Sequence, residues 1–255
     1  MSRGAIWTLA LLAGLMLVVV LAVTLPARVA WSLLAANYPQ AQLSGLSGTL
    51  WNGQAEQLSV NQQALGKLTW QLQPVSLLRG APRVSAQLAG PTLQMEMRLL
   101  SREDGAIELS GLQARADAAW LAPALGIPLL IPTGRLEVDF TELVLLPGGL
   151  PERADGNIRW LDAGVSGLAQ TSIGAVEFTA LGRDRQISGE IRNLGPSPLL
   201  IAGNYALTGT KYQSEVKLRA ENSDPTLVQM LKYVGEPSPD GGRLLKIQGE
   251  ILVPQ

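Results

Sequence analysis

The chain has 255 residues, of which 47% are apolar and 16% are charged, and its formal net charge is −1. This composition supplies a large core and gives no electrostatic case for nucleic acid, whose binding needs clustered Lys and Arg. The absence of cysteine and histidine excludes disulfides, thiolate nucleophiles and the commonest metal ligand and general base near neutral pH. We therefore expect no metal and no cofactor, whereas carboxylate or Ser–Lys chemistry stays open at this point.

The first apolar stretch, residues 6–25, carries no charge. A helix of this length matches the hydrocarbon core of a bilayer, at about 1.5 Å per residue. A cleaved signal peptide is the alternative, but its apolar region usually has only about 7–15 residues. A cut after Ala27 or Ala30 would also place Leu25 or Arg28 where a small residue is wanted. We interpret residues 6–25 as an uncleaved signal-anchor.

The residues that flank this segment set its predicted orientation. Arg3 lies before it and Arg28 after it, so the positive-inside bias is slight. The short head favours a cytoplasmic amino terminus at residues 1–5, with the body of the chain translocated. Residues 26–39 form a linker that contains an exit helix. Trp31 lies at the level of the lipid headgroups if this helix leaves the membrane, and in a protein core if the helix is simply packed.

After residue 39 the sequence changes to short segments in which apolar and polar residues alternate. A period of two is typical of antiparallel strands with one dry face and one wet face. Clear examples are residues 84–88, 93–99, 136–141 and 245–251. The sequence predicts a mainly β fold, built as a curved antiparallel sheet.

Two segments depart from this alternation. Residues 225–234 have apolar residues at helical spacing, after a Ser-Asp-Pro start and before Gly235, which are typical helix caps. Residues 116–125 are similar, although Pro123 must shorten or kink a helix there. We predict one short helix in each segment, lying against the sheet.

The body also contains an internal echo at a distance of about 108 positions. Glycines and aromatic residues recur in the same order, as in Gly48 with Gly156, Gly66 with Gly174, Gly134 with Gly242, Trp51 with Trp160 and Trp70 with Phe178. We interpret the echo as a duplication, with similar halves at residues 40–148 and 149–255. The alternative is a single β fold whose hairpins share a rhythm.

The segment that organises this pattern is a predicted hairpin that carries two tryptophans. Residues 47–51 read SGTLW and end at Asn52 and Gly53, a pair that favours the positive φ of a tight turn. Residues 67–72 read KLTWQL and place Trp70 on the apolar face. A recognition surface is one interpretation of the tryptophans. We prefer the other, in which they cap the core and the glycines permit positive φ or close strand approach.

The motif in residues 46–55 resembles the N-terminal hallmark of the type II secretion system protein N family, also called general secretion pathway protein N. Residues 68–80, 155–160 and 241–244 are similar to the family as well. The resemblance implies an accessory subunit in the cell inner membrane, single-pass with its body in the periplasm. Such a subunit supports export of folded proteins across the outer membrane through contacts with other inner-membrane or periplasmic subunits. No catalytic residue and no cofactor come with the resemblance.

Two other functions stay in view. A membrane-tethered β body is loosely similar to AsmA-like proteins, which suggests a lipid-binding or lipid-transfer module with an apolar groove. A histidine-free hydrolase would need converging carboxylates, but Glu103 with Asp104, and Glu152 with Asp155, are expected in solvated turns. The positions singled out as motif or structural residues are Ser47, Gly48, Thr49, Leu50, Trp51, Gly53, Trp70, Gly156, Trp160 and Gly242.

Overall fold

The structure is a computed structural model that describes residues 24–122, 130–167, 170–221 and 225–251. The chain divides into two compact units, Met1–Pro91 and Thr92–Gln255. Antiparallel strands with few short helices dominate the described residues, so the prediction of a mainly β fold is confirmed.

The first unit begins with a helix and continues as a small antiparallel sheet. Its helices are α1 (Ala27–Leu34), which runs into a 3-10 turn (Ala35–Asn37), and α2 (Pro74–Leu78). Its strands are β1 (Ala41–Ser44), β2 (Ser47–Gly48), β3 (Asn52–Val60), β4 (Gln63–Leu72) and β5 (Arg83–Ala89). They pair in the order β1–β3–β4–β5, and the short β2 also pairs with β3.

Within the predicted hairpin segment the structure has two turns. Asn61 and Gln62 have φ values of 50° and 67°, so they form the tight two-residue connection between β3 and β4. The turn predicted at Asn52 and Gly53 is wrong, because both residues already belong to β3. The chain reverses over residues 49–52 instead, and the positive φ of 81° falls on Gly48.

The second unit has ten strands in its described part, and nearly all of them pair with their neighbours in sequence. They are β6 (Leu93–Ser101), β7 (Ile107–Asp117), β8 (Leu130–Leu145), β9 (Pro151–Gly167), β10 (Thr171–Arg183), β11 (Gln186–Asn193), β12 (Leu199–Thr208), β13 (Lys211–Ala220), β14 (Glu236–Pro237) and β15 (Arg243–Glu250). The pairing order is β6 to β13 in sequence, then β15, then β14. A 3-10 turn (Ala118–Leu121) follows β7, and helix α3 (Pro225–Leu231) follows β13.

Alternation gives the second unit's sheet two chemically distinct faces. Phe140, Ala154 and Ile187 form a buried cluster on one face, with half-buried neighbours such as Val138 and Ile158 packed against it. The residues between these positions are mostly polar and exposed. The polar face is therefore free to carry the charged side chains described below.

Several finer predictions are settled or left open by these elements. Helix α3 lies inside the predicted segment 225–234, whereas the helix predicted at 116–125 is wrong in its first residues, because Ala116 and Asp117 end strand β7. Glu152 and Asp155 are not in a turn, since both lie on β9. The pairing of β9 with β8 places this segment within the sheet.

The predicted span and the predicted halves are not tested. Residues 6–23 of the span lie outside the described residues, and among the described residues no helix is long and apolar enough to cross a membrane. The halves 40–148 and 149–255 stay a prediction about sequence ancestry; the compact units have their boundary elsewhere, after Pro91.

Candidate interaction surface

The hallmark loop, defined here as residues 47–53, connects β2 to β3. Thr49 N–H donates to the carbonyl oxygen of Asn52 at 2.9 Å. Asn52 N–H donates in return to Thr49 Oγ1 at 3.2 Å. Ser47 lies opposite Gln54 in the short ladder that closes the loop. The loop is thus held by its own main chain and by one hydroxyl, and Thr49 supplies both.

The hallmark loop also holds the chain directly after the predicted membrane span. Leu50 N–H donates to the carbonyl oxygen of Leu25 at 2.9 Å, and Pro26 forms an antiparallel bridge with Thr49. The guanidinium of Arg28 donates from Nε to the carbonyl oxygen of Leu46 at 2.9 Å. The start of helix α1 is therefore fastened to the loop by hydrogen bonds.

Apolar packing reinforces this attachment. Ala27, Leu46 and Ala55 form a buried cluster, with Trp31 and Trp70 packed against it. Trp31 thus lies in the core of the first unit, which favours the packed-helix interpretation of the exit segment over a position among the lipid headgroups.

The position of the Trp70 ring explains why residue 53 is a glycine. Trp70 lies directly opposite Gly53 in the register of β3 and β4. A Cβ added at Gly53 would overlap the indole ring, and it would also lie 2.7 Å from the carbonyl oxygen of Thr49. Gly53 therefore permits close approach, while Gly48, with φ of 81°, permits the turn. Trp51 is half-buried at the end of the loop.

The remaining predicted positions belong to the second unit. Gly156 lies opposite Phe140, and a Cβ there would lie 2.6 Å from the phenyl ring. The indole Nε1 of Trp160 donates to the carbonyl oxygen of Thr133 at 2.9 Å. Gly242 is buried before β15. The surroundings of these three residues, like those of the hallmark loop, indicate roles in holding the sheet together.

The polar face of the second unit carries a row of charges that we call the charge row. In the register of five consecutive strands, β7 to β11, one residue of each strand lies directly opposite the next. The signs alternate along this row, which consists of Arg115, Glu137, Arg159, Glu177 and Arg192. Opposite charges at facing positions stabilise a sheet by roughly 0.2–1 kcal/mol per pair.

Glu177 is the centre of the charge row. Its side chain is only 7% exposed, with Arg159 Nε at 3.2 Å from Oε1 and Arg192 Nη2 at 2.7 Å from Oε2. The hydrogen bond from Arg192, supported by Arg159, holds the pKa of this carboxyl below its usual value in spite of its burial. Glu177 is therefore an ionised, doubly bound group rather than a free acid or base.

The guanidinium groups of the charge row reach solvent. The side chains of Arg115, Arg159 and Arg192 are 70%, 45% and 58% exposed. An arginine has five N–H donors, and a shared carboxylate occupies only some of them. The row thus presents guanidinium groups on every second strand, with donors left for another carboxylate.

A cavity of about 880 Å³ opens on the same unit over β10 to β13 and β15. Its lining combines polar side chains, such as Glu190, Asn204 and Gln248, with apolar ones, such as Leu181 and Ile247. A mixed, charged lining of this kind does not single out a lipid as the ligand.

Two of the four carboxylates that could have suggested hydrolysis are ion-paired with the same arginine. Glu152 lies 3.3 Å from Arg102 Nη1, and Asp104 lies 2.9 Å from Arg102 Nη2. In the described ranges, no group of three or more His, Cys, Asp and Glu residues could hold a metal ion.

The fold and this surface define a class of protein. It is a mainly antiparallel β protein with paired charges on one sheet face. The model of the family described as "Type II secretion system (T2SS), protein N" matches residues 39–246. The chain belongs to this family.

Two relatives agree with this assignment. The chain is similar to "Type II secretion system protein N" of Aeromonas hydrophila, with 28% identity over 219 residues, 82% of this chain and 84% of the relative. It is also similar to "Type II secretion system protein N" of Vibrio cholerae serotype O1, with 27% identity over 247 residues, 90% of this chain and 92% of the relative. No solved structure matches the chain significantly. The recognition made from the motif is confirmed.

The charge row escaped the sequence analysis. Each of its members occupies a polar position within an alternating segment, which is the only signal that the sequence gives. Facing positions depend on strand register, and β-bulges shift that register between β8 and β9 and between β9 and β10. Counting residues along the chain could not have placed Arg159 between two glutamates.

Proposed function

We propose that this chain is an accessory subunit of the type II secretion system that is held in the inner membrane and works through protein–protein contacts. The observation that carries the proposal is the family match over residues 39–246. The paired charges of the second unit support a docking role, because Glu152 and Glu177 are ion-paired with arginines. That the chain is not an enzyme stays part of this proposal.

The anchor in this proposal is the span at residues 6–25, with the body in the periplasm. The hydrogen bonds at Leu25 and Pro26 support it, since they fix the first described residues to the folded body. Val29 and Leu33 of helix α1 are 45% and 71% exposed. Apolar side chains this close to a span are suited to the membrane interface.

The contact surface in this proposal is the charge row. Arg115 and Arg192 end the row on both sides, and their exposed guanidiniums are oriented by Glu137 and Glu177. Guanidinium groups that are already held by a glutamate lose less side-chain entropy on binding than free ones do. They fit an acidic segment of another subunit, and such contacts chiefly set specificity and association rate.

A secretion assay in the native host tests the proposal. Deletion of the gene should leave folded substrate in the periplasm, and the wild-type chain should restore its release into the medium. The variant Arg115→Glu, at a side chain that is 70% exposed, should restore release poorly while the chain still accumulates at the wild-type level. Lys232→Glu, an exposed charge reversal outside the row, is the matched control and should restore release fully.

Two results would contradict the proposal. Normal secretion in the deletion strain would remove the role in export. Full complementation by Arg115→Glu would remove the charge row as the contact surface and leave the role in export standing. Extraction tests the anchor separately: the chain should stay in the membrane pellet after alkaline carbonate treatment, and a chain whose residues 1–25 are replaced by a cleavable signal peptide should not.

A further inference from the structure

Strand β15 is paired along one edge and largely open along the other. β13 pairs with it over its whole length. On the outer edge, β14 pairs only with Arg243 and Leu244. Within the described part of the chain, no strand pairs with the outer edge of residues 245–250. An open edge of this length is a template for another strand.

Hydrogen bonds at the two ends of β15 show which main-chain groups point to the open edge. Ile251 N–H donates to the carbonyl oxygen of Thr210, on the β13 side, at 2.8 Å. The carbonyl oxygen of Gly242 accepts from Ser238 N–H, on the β14 side, at 2.9 Å. Successive residues of an antiparallel strand direct these groups to alternate sides. The residues that present a free N–H and C=O at the open edge are therefore Lys246, Gln248 and Glu250.

We propose that two copies of this chain pair through this edge, antiparallel, with Gln248 on the two-fold axis. β14 blocks pairing at Leu244, so the open edge begins at Leu245. Of the three residues that present free main-chain groups there, Lys246, Gln248 and Glu250, Gln248 is the middle one. A two-fold axis at Gln248 lets each copy use all three positions of the other.

The side chains are complementary in this register. Lys246 of each copy lies opposite Glu250 of the other, and the two Gln248 amides face each other. On the other face Leu245 lies opposite Ile251, while Ile247 lies opposite Gly249. Ile247 and Ile251 are 44% and 38% exposed, so pairing buries apolar surface as well as joining opposite charges.

Neighbouring registers lose this complementarity. A shift by two residues in one direction places Glu250 opposite Leu244, which β14 already occupies. A shift by two in the other direction places Gln248 opposite Glu250 and leaves Lys246 without an acidic residue opposite it in the second copy, so that its one acidic neighbour there is Glu215 of its own chain. A shift by one sets outward-facing main-chain groups against inward-facing ones. The charges therefore favour a second copy in one register as the occupant, rather than a strand of arbitrary sequence.

Cysteine cross-linking of the full chain in detergent tests the pairing directly, because the chain has no cysteine of its own. In Gln248→Cys the two Cα atoms are expected about 5.5 Å apart, as in hydrogen-bonded antiparallel pairs, within the span of a disulfide. Gln213→Cys is the matched control, since Gln213 lies opposite Gln248 on β13. Its two copies would be separated by roughly 14 Å, three strand spacings. A disulfide-linked dimer is expected for the first variant only, and equal cross-linking of both would overturn the proposal.

Sedimentation equilibrium of charge variants tests the register. Lys246→Glu sets like charges opposite each other at two symmetric sites and should raise the dimer Kd by about tenfold. Lys246→Glu combined with Glu250→Lys restores opposite charges and should restore the dimer. Lys217→Glu, an exposed reversal on β13, should leave the Kd unchanged. A monomeric wild-type chain, or a double variant as weak as the single one, would overturn the pairing. These readouts are independent of secretion.

Discussion

The indole Nε1 of Trp70 donates a hydrogen bond to the carbonyl oxygen of Leu50 at 3.0 Å. The N–H of the same leucine donates to Leu25 at 2.9 Å. Both main-chain groups of Leu50 are thus engaged, one with the core tryptophan and one with the end of the predicted span. The hallmark loop therefore acts as a joint between the entering chain and the first sheet, which gives its sequence a structural reason.

Removing the indole should destabilise the first unit in two steps. Trp70→Phe loses the hydrogen bond to Leu50 and keeps most of the packing, so the free energy of unfolding should fall by about 1 kcal/mol. Trp70→Ala also leaves a cavity and should cost about 3 kcal/mol. Trp51 is only half-buried, so Trp51→Ala should cost less than Trp70→Ala. Urea denaturation followed by circular dichroism measures all three, and an unchanged free energy of unfolding in Trp70→Phe would contradict the role of the hydrogen bond.

Gly53 and Trp70 should be energetically coupled. Gly53→Ala forces a methyl group against the indole, so it should be strongly destabilising in the wild-type chain. In the Trp70→Ala background the part of this cost that comes from the indole should disappear, while the contact with the Thr49 carbonyl at 2.7 Å remains. A double-mutant cycle of unfolding free energies measures the coupling. Strict additivity of the two substitutions would show that the indole does not set the need for a glycine at this position.

Glu177 should make the free energy of unfolding depend on pH in the acidic range. Its pKa is lowered in the folded chain by Arg192 and Arg159, so its contribution is fully present above the unfolded pKa of about 4.3 and is lost as the pH falls through the lower folded value. Glu177→Gln should cost about 2 kcal/mol at neutral pH. The difference between wild type and variant should shrink in acid. Glu215→Gln, half exposed on β13, is the control and should show a much smaller effect.

Tyr205 should make the free energy of unfolding depend on pH in the alkaline range. Its hydroxyl donates to the carbonyl oxygen of Thr179 at 2.7 Å, and burial raises its pKa. The stabilising contribution is therefore complete below the unfolded pKa of about 10 and is lost as the pH rises through the folded value. Tyr205→Phe should cost about 1 kcal/mol at neutral pH and should weaken the alkaline loss of stability. An identical alkaline profile for the two proteins would contradict this origin.

The sequence by itself determined the class of fold and the family. Strict alternation, as at residues 93–99 and 136–141, has no stable solution other than a sheet with one apolar face, so strands could be recognised without any partner. The SGTLW motif was sufficient to identify the family, because its residues together form one local connection between the entering chain and the first sheet. The absence of cysteine and histidine limited the catalytic and metal-binding chemistry open to the chain.

Only the tertiary structure decided which residues face each other. The turn expected at Asn52 and Gly53 lies at residues 49–52, because Gly53 is needed to admit the Trp70 ring from the next strand. The alternation of charge around Glu177 depends on the register of five strands and on bulges within them. Local patterns report the face on which a residue lies, since that has a period of two; its neighbours across the sheet depend on hydrogen-bond pairing between distant segments, which no local pattern encodes.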